Sequence, residues 1–263
     1  MMQQSASLIG IYDSGMGGLS VMRAVRVLLP THNLLYLADT AFCPYGPRPV
    51  EEVRDRALAC TGWLIEQGVQ MVVVACNTAS SAALELLRAE YQVPIVGMEP
   101  GVKPAVAATR SGQVGILATS GTLTGQRFAS LVQRFAASVA VQTVPCPGLV
   151  ERVELGDLDG PQTRAVLETC LHPLQAEGVD TIVLGCTHFH FVAPLIREVA
   201  GPEVTVIDTA LAVARQVARV AAQIGLSRGE GGIRFATSGD PASTAPVFAC
   251  LWGSEPGVES ARV

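Results

Sequence analysis

Apolar runs of strand length alternate with helical stretches along almost the whole chain, and this alternation restricts the fold more than any other feature. Residues 8–12, 34–37, 72–76, 93–96, 114–117, 139–144, 181–186, 204–207 and 233–237 read as strands. Helical spacing of apolar residues fills the intervals, at 19–29, 51–67, 80–90, up to 109, 122–135, 151–155, 163–174, up to 199, 211–224 and 241–252. Strand and helix in regular succession imply parallel sheets covered by helices on both faces. In such sheets ligands bind outside the carboxyl ends of the strands. The polar motifs Asp13-Ser14, Asp39-Thr40, Cys76-Asn77-Thr78, the 119–122 turn and Cys186-Thr187-His188 all fall at those ends.

Two of these motifs repeat one another. Val72-Val73-Val74-Ala75-Cys76-Asn77-Thr78 and Ile182-Val183-Leu184-Gly185-Cys186-Thr187 each carry a buried-type strand into a cysteine and a threonine, 110 residues apart. The expected architecture is therefore α/β, with two similar domains of mostly parallel sheets flanked by helices and an active site in the cleft between them. The first domain is expected over 1–98 plus 208–263 and the second over 99–207, and the last ten residues read as loose.

Composition removes several function classes. Charged residues make up 16% of the chain and the net charge is −5, without a basic cluster interleaved with aromatics, so no nucleic-acid partner is expected. Apolar runs stop at strand length and the first residues lack the basic-then-apolar pattern of an export signal, so a cytoplasmic protein with no membrane partner is expected. The seven cysteines form no C-x-x-C pair and suit free thiols in a reducing compartment. Lys103 is the only lysine and stands between Val102 and Pro104. That position suits neither a Schiff base nor a phosphate-binding loop. The glycines of Asp13-Ser14-Gly15-Met16-Gly17-Gly18 lack the third member of a dinucleotide fingerprint, because Ser20 stands in its place.

What remains is thiol chemistry. A cysteine between a strand and a helix N-terminus meets the positive end of the helix dipole, which is expected to lower its pKa toward neutrality. One such thiol suggests a nucleophile, whereas two on opposite walls of a cleft suggest an acid and a base acting on opposite faces of one carbon. Ser14, Asn77, Thr78, Thr122 and Thr187 offer donors that hold carboxylates beside helix N-termini. Asp13 is the first candidate for holding an amino group, with Asp39, Glu154 and His188 next.

Taken together, Asp13-Ser14-Gly15-x-Gly17-Gly18, Asp39-Thr40, Cys43-Pro44-Tyr45-Gly46, Ala75-Cys76-Asn77-Thr78 and Gly185-Cys186-Thr187-His188 resemble the glutamate racemases of the aspartate/glutamate racemase superfamily. The resemblance spans about residues 7–253, including Thr237-Ser238-Gly239-Asp240-Pro241. It implies cofactor-independent interconversion of L- and D-glutamate, supplying D-glutamate for peptidoglycan, by a homodimer that holds no metal. It also implies roles for single residues. Cys76 would take the α-proton of D-glutamate and Cys186 that of L-glutamate, with Asp13, His188 and Glu154 assisting. Asp13, Ser14, Asp39, Pro44, Tyr45, Gly46, Asn77, Thr78, Thr119, Thr122 and Thr187 would bind substrate. His190, where many members have proline, and Gly148, where a larger apolar residue is common, depart from the pattern.

Other readings of the same residues stay open at this level. Racemisation of aspartate or a hydantoin would need the same thiols, and a binding role for a small acid would need no turnover. Cys186-x-His188-x-His190 has the alternation of a metal-binding segment, Asp13 has the position of a helix cap, and Glu154 lies in a charged stretch. His32 and His172 read as surface residues.

Overall fold

The computed structural model describes residues 7–263, so the expectation of no export signal and the first six residues of the expected first domain lie outside it. The chain begins with β1 (Leu8–Asp13), α1 (Leu19–Leu28), β2 (Asn33–Ala38), α2 (Val50–Glu66), β3 (Met71–Val74), α3 (Asn77–Glu90) and β4 (Ile95–Gly97). It continues through α4 (Val102–Ala108), β5 (Gln113–Ala118), α5 (Ser120–Leu123), α6 (Gln126–Phe135), β6 (Ala140–Pro145), α7 (Leu149–Glu154), α8 (Pro161–Ala176), β7 (Thr181–Gly185), α9 (Ala193–Ala200) and β8 (Thr205–Ile207). It closes with α10 (Ala210–Gln223), β9 (Ile233–Thr237), α11 (Pro241–Trp252) and β10 (Val258–Ser260).

Two all-parallel sheets result. One has the order β10-β9-β2-β1-β3-β4 and the other β6-β5-β7-β8. The fold is thus the expected α/β arrangement of parallel sheets flanked by helices. Four strands of the larger sheet, β2-β1-β3-β4, and the whole of the smaller one share one order, in which the chain switches direction between the first and third strands of the set. That switch leaves a crevice beyond the carboxyl ends. β3 leads to Cys76 and β7 to Cys186, so each thiol follows the third strand of its set, beside the switch.

Alternating side chains put each strand between two apolar layers. In the larger sheet Ile9, Ile11, Leu34, Tyr36, Met71 and Val73 pack with α1 and α10 on one face. Tyr12, Leu35, Leu37, Val72 and Val74 pack with Val53, Ala57 and Leu64 of α2 and Leu84 and Leu87 of α3 on the other. The smaller sheet behaves likewise, with Leu117, Ile182 and Leu184 over the α7–α9 side and Val114, Ile116 and Val183 against Val102, Ala105 and Phe128. The first of these clusters runs through Phe189 and Val192 into both sheets, giving one continuous apolar seam beneath the crevice.

Several expectations require correction. The last residues are not loose, because Val258–Ser260 adds a parallel edge strand to β9. The helix expected over 122–135 is two helices, α5 and α6, separated by Gly125, where an added Cβ would lie 1.9 Å from Ser81 Oγ. Residues after Cys186 form a 3-10 turn, Thr187–His190, before α9 begins at Ala193. His32 is buried rather than at the surface. Among the described residues no helix is long and apolar enough to cross a membrane.

Candidate active site

Cys76 is the N-cap of α3, and its Sγ accepts the Ala79 N–H at 3.4 Å. The helix therefore begins at Asn77, three residues before its expected start, and the sulfur does meet the helix N-terminus. The expected fall in pKa is nevertheless overturned. Burial pushes the Cys76 thiol up to about 12, the Asp13 carboxylate adds to the rise, and the Ala79 N–H and Ser14 hydroxyl only partly oppose it. Desolvation of a thiolate outweighs a helix dipole where the sulfur is as deeply buried as this one. Cys76 is thus held as a thiol, donating to Ser14 Oγ at 3.6 Å.

Cys186 has different company. Its Sγ lies 3.7 Å from His188 Nδ1, and His188 Nε2 lies 2.6 Å from Glu154 Oε1. The same carboxylate oxygen accepts the Met16 N–H at 2.6 Å, so Glu154 joins the Cys186 side to the glycine turn of the larger sheet. Burial alone would lower the His188 pKa, but hydrogen bonds with Cys186, Cys43 and Glu154 outweigh it and hold the imidazolium well above the usual histidine range. With only a 3-10 turn behind it, Cys186 has no α-helix N-terminus to meet. A thiol–imidazole–carboxylate line takes the place of the dipole on this wall.

Asp13 is fully buried at the end of β1 and its oxygens are engaged. Oδ1 accepts Ser14 N–H at 2.8 Å, while Oδ2 accepts the Gly18 N–H and the Thr187 hydroxyl, the latter at 2.9 Å. It therefore fastens the glycine turn and reaches across to the Cys186 wall. The glycines of that turn serve close approach rather than phosphate binding. A Cβ on Gly17 would lie 2.5 Å from His188 Nδ1, and one on Gly15 would lie 2.3 Å from Glu154 Oε1.

Ser14, Pro44, Tyr45, Gly46, Asn77, Thr78, Thr119, Thr187 and His188 line one small cavity together with both thiols and Val150. Its volume is about 10 Å³, room for about one water molecule. A wider cavity of about 130 Å³ shares Pro44, Gly46, Thr119 and Val150 and opens toward Gly148. Gly148 has a φ of 85°, a left-handed conformation that disfavours the larger residue expected there and that starts α7. The Asn77 side chain is buried, and neither its amide nitrogen nor its oxygen has a hydrogen-bond partner in the protein. Thr78, Thr119 and Thr122 form a hydroxyl triangle with sides of 2.8, 3.0 and 3.2 Å, so Thr122 stands behind the cavity wall.

Asp39 lies outside the cavity. Its carboxylate takes two hydrogen bonds from Arg56, at 2.9 and 2.8 Å, one from Ser238 Oγ at 2.6 Å and one from Tyr45. Those partners occupy it from every side, and it anchors the 43–46 loop. The matching of Ser238 to Asp39 explains why the Thr237-Ser238-Gly239 motif belongs with the site. Nor do Cys186, His188 and His190 share a face, because His190 Nδ1 turns to Ser20 Oγ at 3.2 Å and Asp208 at 3.6 Å. Arg56, Val150 and Cys43 were not among the expected site residues. Only Cys43 carried a signal, its place beside Pro44.

A family model described as Asp/Glu/hydantoin racemase matches residues 19–217. The chain belongs to this family. A glutamate racemase of Pseudomonas aeruginosa is 52% identical over 256 residues, which is 96% of this chain and 97% of that one. A crystal structure of a glutamate racemase isoform from Bacillus anthracis superposes with a TM-score of 0.89 at 30% identity, covering 98% of each chain. The glutamate racemase of Escherichia coli, solved with L-glutamate and the activator UDP-MurNAc-ala, gives a TM-score of 0.86 at 29% identity over 98% of this chain and 99% of that one. These neighbours share the α/β fold described above.

Proposed function

We propose that this racemase-family enzyme interconverts L- and D-glutamate without a cofactor, with Cys76 and Cys186 as paired acid and base. The observation that carries the reading is the enclosure of both thiols in one cavity with the unpartnered amide of Asn77. A buried amide with both ends unpaired is costly unless a ligand satisfies it. An amino acid offers the complement, a carboxylate for the N–H and an ammonium for the carbonyl. The neighbouring hydroxyls of Ser14, Thr78, Thr119 and Thr187 supply further donors, and full-length relatives named glutamate racemases at about half identity support glutamate as the substrate.

In the proposed reaction one sulfur, as thiolate, removes the α-proton, and the opposite thiol donates a proton to the other face of the resulting carbanion. The Cα–H bond breaks toward one sulfur while a new C–H bond forms from the other, so one enantiomer becomes the other and the two sulfurs exchange protonation states. The form with Cys76 protonated is the one that accepts L-glutamate, since Cys186 is then the base. Thr187, Asp13 and the His188–Glu154 pair position and charge the Cys186 wall. Ser14, Pro44, Tyr45, Gly46, Asn77, Thr78, Thr119 and Thr122 shape and bind from the rest, and Asp39 acts through Tyr45. The closed cavity is far smaller than an amino acid, so the walls part for each substrate and product.

We read 1–98 plus 208–263 and 99–207 as the two domains, and a cytoplasmic homodimer that makes D-glutamate for peptidoglycan as the biological setting. The test is turnover of L-glutamate in deuterated water with no added cofactor. Loss of optical rotation with deuterium at Cα of the product is expected, with L-aspartate a poor substrate. Full activity in Cys76→Ala, or racemisation without solvent deuterium, overturns the mechanism. Faster turnover of L-aspartate overturns the substrate.

A further inference from the structure

Three metal-ligand groups converge beside the thiol cavity. The Sγ of Cys43, a carboxylate oxygen of Glu154 and a ring nitrogen of His188 all lie within 4.8 Å of one another. They come from three separated segments: Cys43 from the loop after β2 on the larger sheet, Glu154 from the end of α7, and His188 from the 3-10 turn after β7 on the smaller sheet. Gly15 packs directly against this group, where a Cβ would lie 2.3 Å from Glu154 Oε1 and 2.8 Å from Cys43 Sγ, so only a residue without a side chain lets the three approach one another.

We propose that Cys43, Glu154 and His188 form a site for Zn²⁺ that fastens the two walls of the cleft together and stops turnover. A thiolate, an imidazole and a carboxylate are the donor types zinc prefers, and three protein ligands with an open fourth position make a common zinc geometry. Softer and harder competitors fit less well. Magnesium and calcium favour all-oxygen shells, while copper(II) favours planar arrangements of nitrogen and oxygen. Bonds of about 2.0–2.3 Å at tetrahedral angles set ligand atoms roughly 3.3–3.8 Å apart. His188 Nε2 and Glu154 Oε1, now 2.6 Å apart, move apart by about 0.7 Å or more as the ion replaces the proton between them, and the Cys43 thiol gives up its proton to solvent.

The consequences follow from where the ligands originate. An ion held by Cys43 on one wall and by Glu154 and His188 on the other opposes any separation of the walls. It also takes the imidazole nitrogen and carboxylate away from the line that ends at Cys186. Metal binding does not depend on the substrate, so its direct readouts test the site even if the glutamate reading fails.

The test uses the full chain, stripped with a chelator and titrated with Zn²⁺ or Co²⁺ alone. One ion per chain is expected. X-ray absorption of the zinc form should show one sulfur with nitrogen and oxygen neighbours, and the cobalt form a near-ultraviolet sulfur-to-metal band. Zinc should raise the melting temperature by several degrees, and racemisation should stop with zinc and return with chelator. Cys43→Ser should abolish the cobalt band and weaken zinc binding by more than about tenfold, since loss of even an outer-shell partner of a metal ligand costs about 10–100-fold. Absence of saturable binding, two sulfurs around the zinc, as binding to Cys76 and Cys186 would give, or unchanged affinity in Cys43→Ser would each overturn the site. The absorption measurement on unaltered protein stands even if the variant fails to fold.

Discussion

Glu154 Oε1 sits 2.6 Å from His188 Nε2 and takes the Met16 N–H at the same distance, so a single oxygen ties the imidazole beside Cys186 to the glycine turn of the opposite sheet. Glu154→Gln keeps the shape of this group and removes its charge. General acid–base assistance is worth about 10²–10⁴-fold, and the expected loss in kcat/KM lies near the lower end, because Glu154 acts through His188. The enantiomers have equal free energy in solution, so kcat/KM must fall equally for L- and D-glutamate. The imbalance will appear instead in the primary deuterium isotope effect, which should rise more for deuterated L-glutamate. Equal isotope effects would detach Glu154 from the Cys186 half-reaction.

The same pair makes stability depend on pH. His188 titrates well above the ordinary histidine value in the folded protein. A group raised on folding contributes its full stabilisation below its unfolded pKa of about 6.5 and loses it as pH rises through the folded value. The difference in urea midpoint between the parent and Glu154→Gln should accordingly be largest near pH 6 and shrink on the alkaline side. A gap that widens with rising pH would contradict the charged imidazole.

Asn77 separates binding from folding. Its amide has no partner in the protein, so Asn77→Ala should leave the urea midpoint unchanged or slightly raised. Substrate binding should lose about 1.5–3 kcal/mol, the range for hydrogen bonds to charged groups. That corresponds to a rise in KM of roughly ten- to a hundred-fold. A normal KM would place the substrate elsewhere.

Gly17→Ala tests the close approach of the two sheets. The new methyl group would lie 2.5 Å from His188 Nδ1 and 2.7 Å from the His188 backbone nitrogen, which cannot rotate away. Overpacking of this kind costs about 1–3 kcal/mol, and the displaced histidine should depress turnover more than stability. Wild-type kinetics would show that the walls yield without consequence.

Arg56 stands on α2, outside the thiol cavity, and holds the 43–46 loop through Asp39. Arg56→Met leaves a carboxylate that is 0% exposed without its counter-charge, an alteration that costs about 3–5 kcal/mol. Urea unfolding at neutral pH measures it, and Arg56→Lys should recover only part because the paired hydrogen bonds are lost. A change below about 1 kcal/mol, typical of an exposed ion pair, would contradict the buried clamp.

The strand–cysteine repeats were legible because a buried parallel strand is a run of Val, Ile and Leu, and a polar residue immediately after it has one place to go. Val72 to Cys76 and Thr181 to Cys186 needed no other information. The environment of each sulfur was not legible in the same way. Whether an α-helix or a 3-10 turn follows depends on contacts such as Ser20 with His190, 170 residues apart. The thiol pKa of Cys76 departs from the local expectation for a related reason. A dipole can be read from local sequence, but the exclusion of solvent by an opposing wall cannot. Asp39 marked its strand end correctly, yet its engagement by Arg56 and Ser238 depends on long-range folding. The edge strand at Val258–Ser260 is not legible in the sequence because three residues carry too little periodic signal.

One strand order, used twice, leaves Cys76 and Cys186 at equivalent points of their sheets. A polypeptide of L-residues has no mirror image available to it, so it cannot meet a left-handed and a right-handed molecule with reflected surfaces. Rotation is available. Two copies of one topology turned to face each other can bring the same chemical group to either side of a flat carbon. The differing supports behind the groups then record that the halves are related by arrangement and not by reflection.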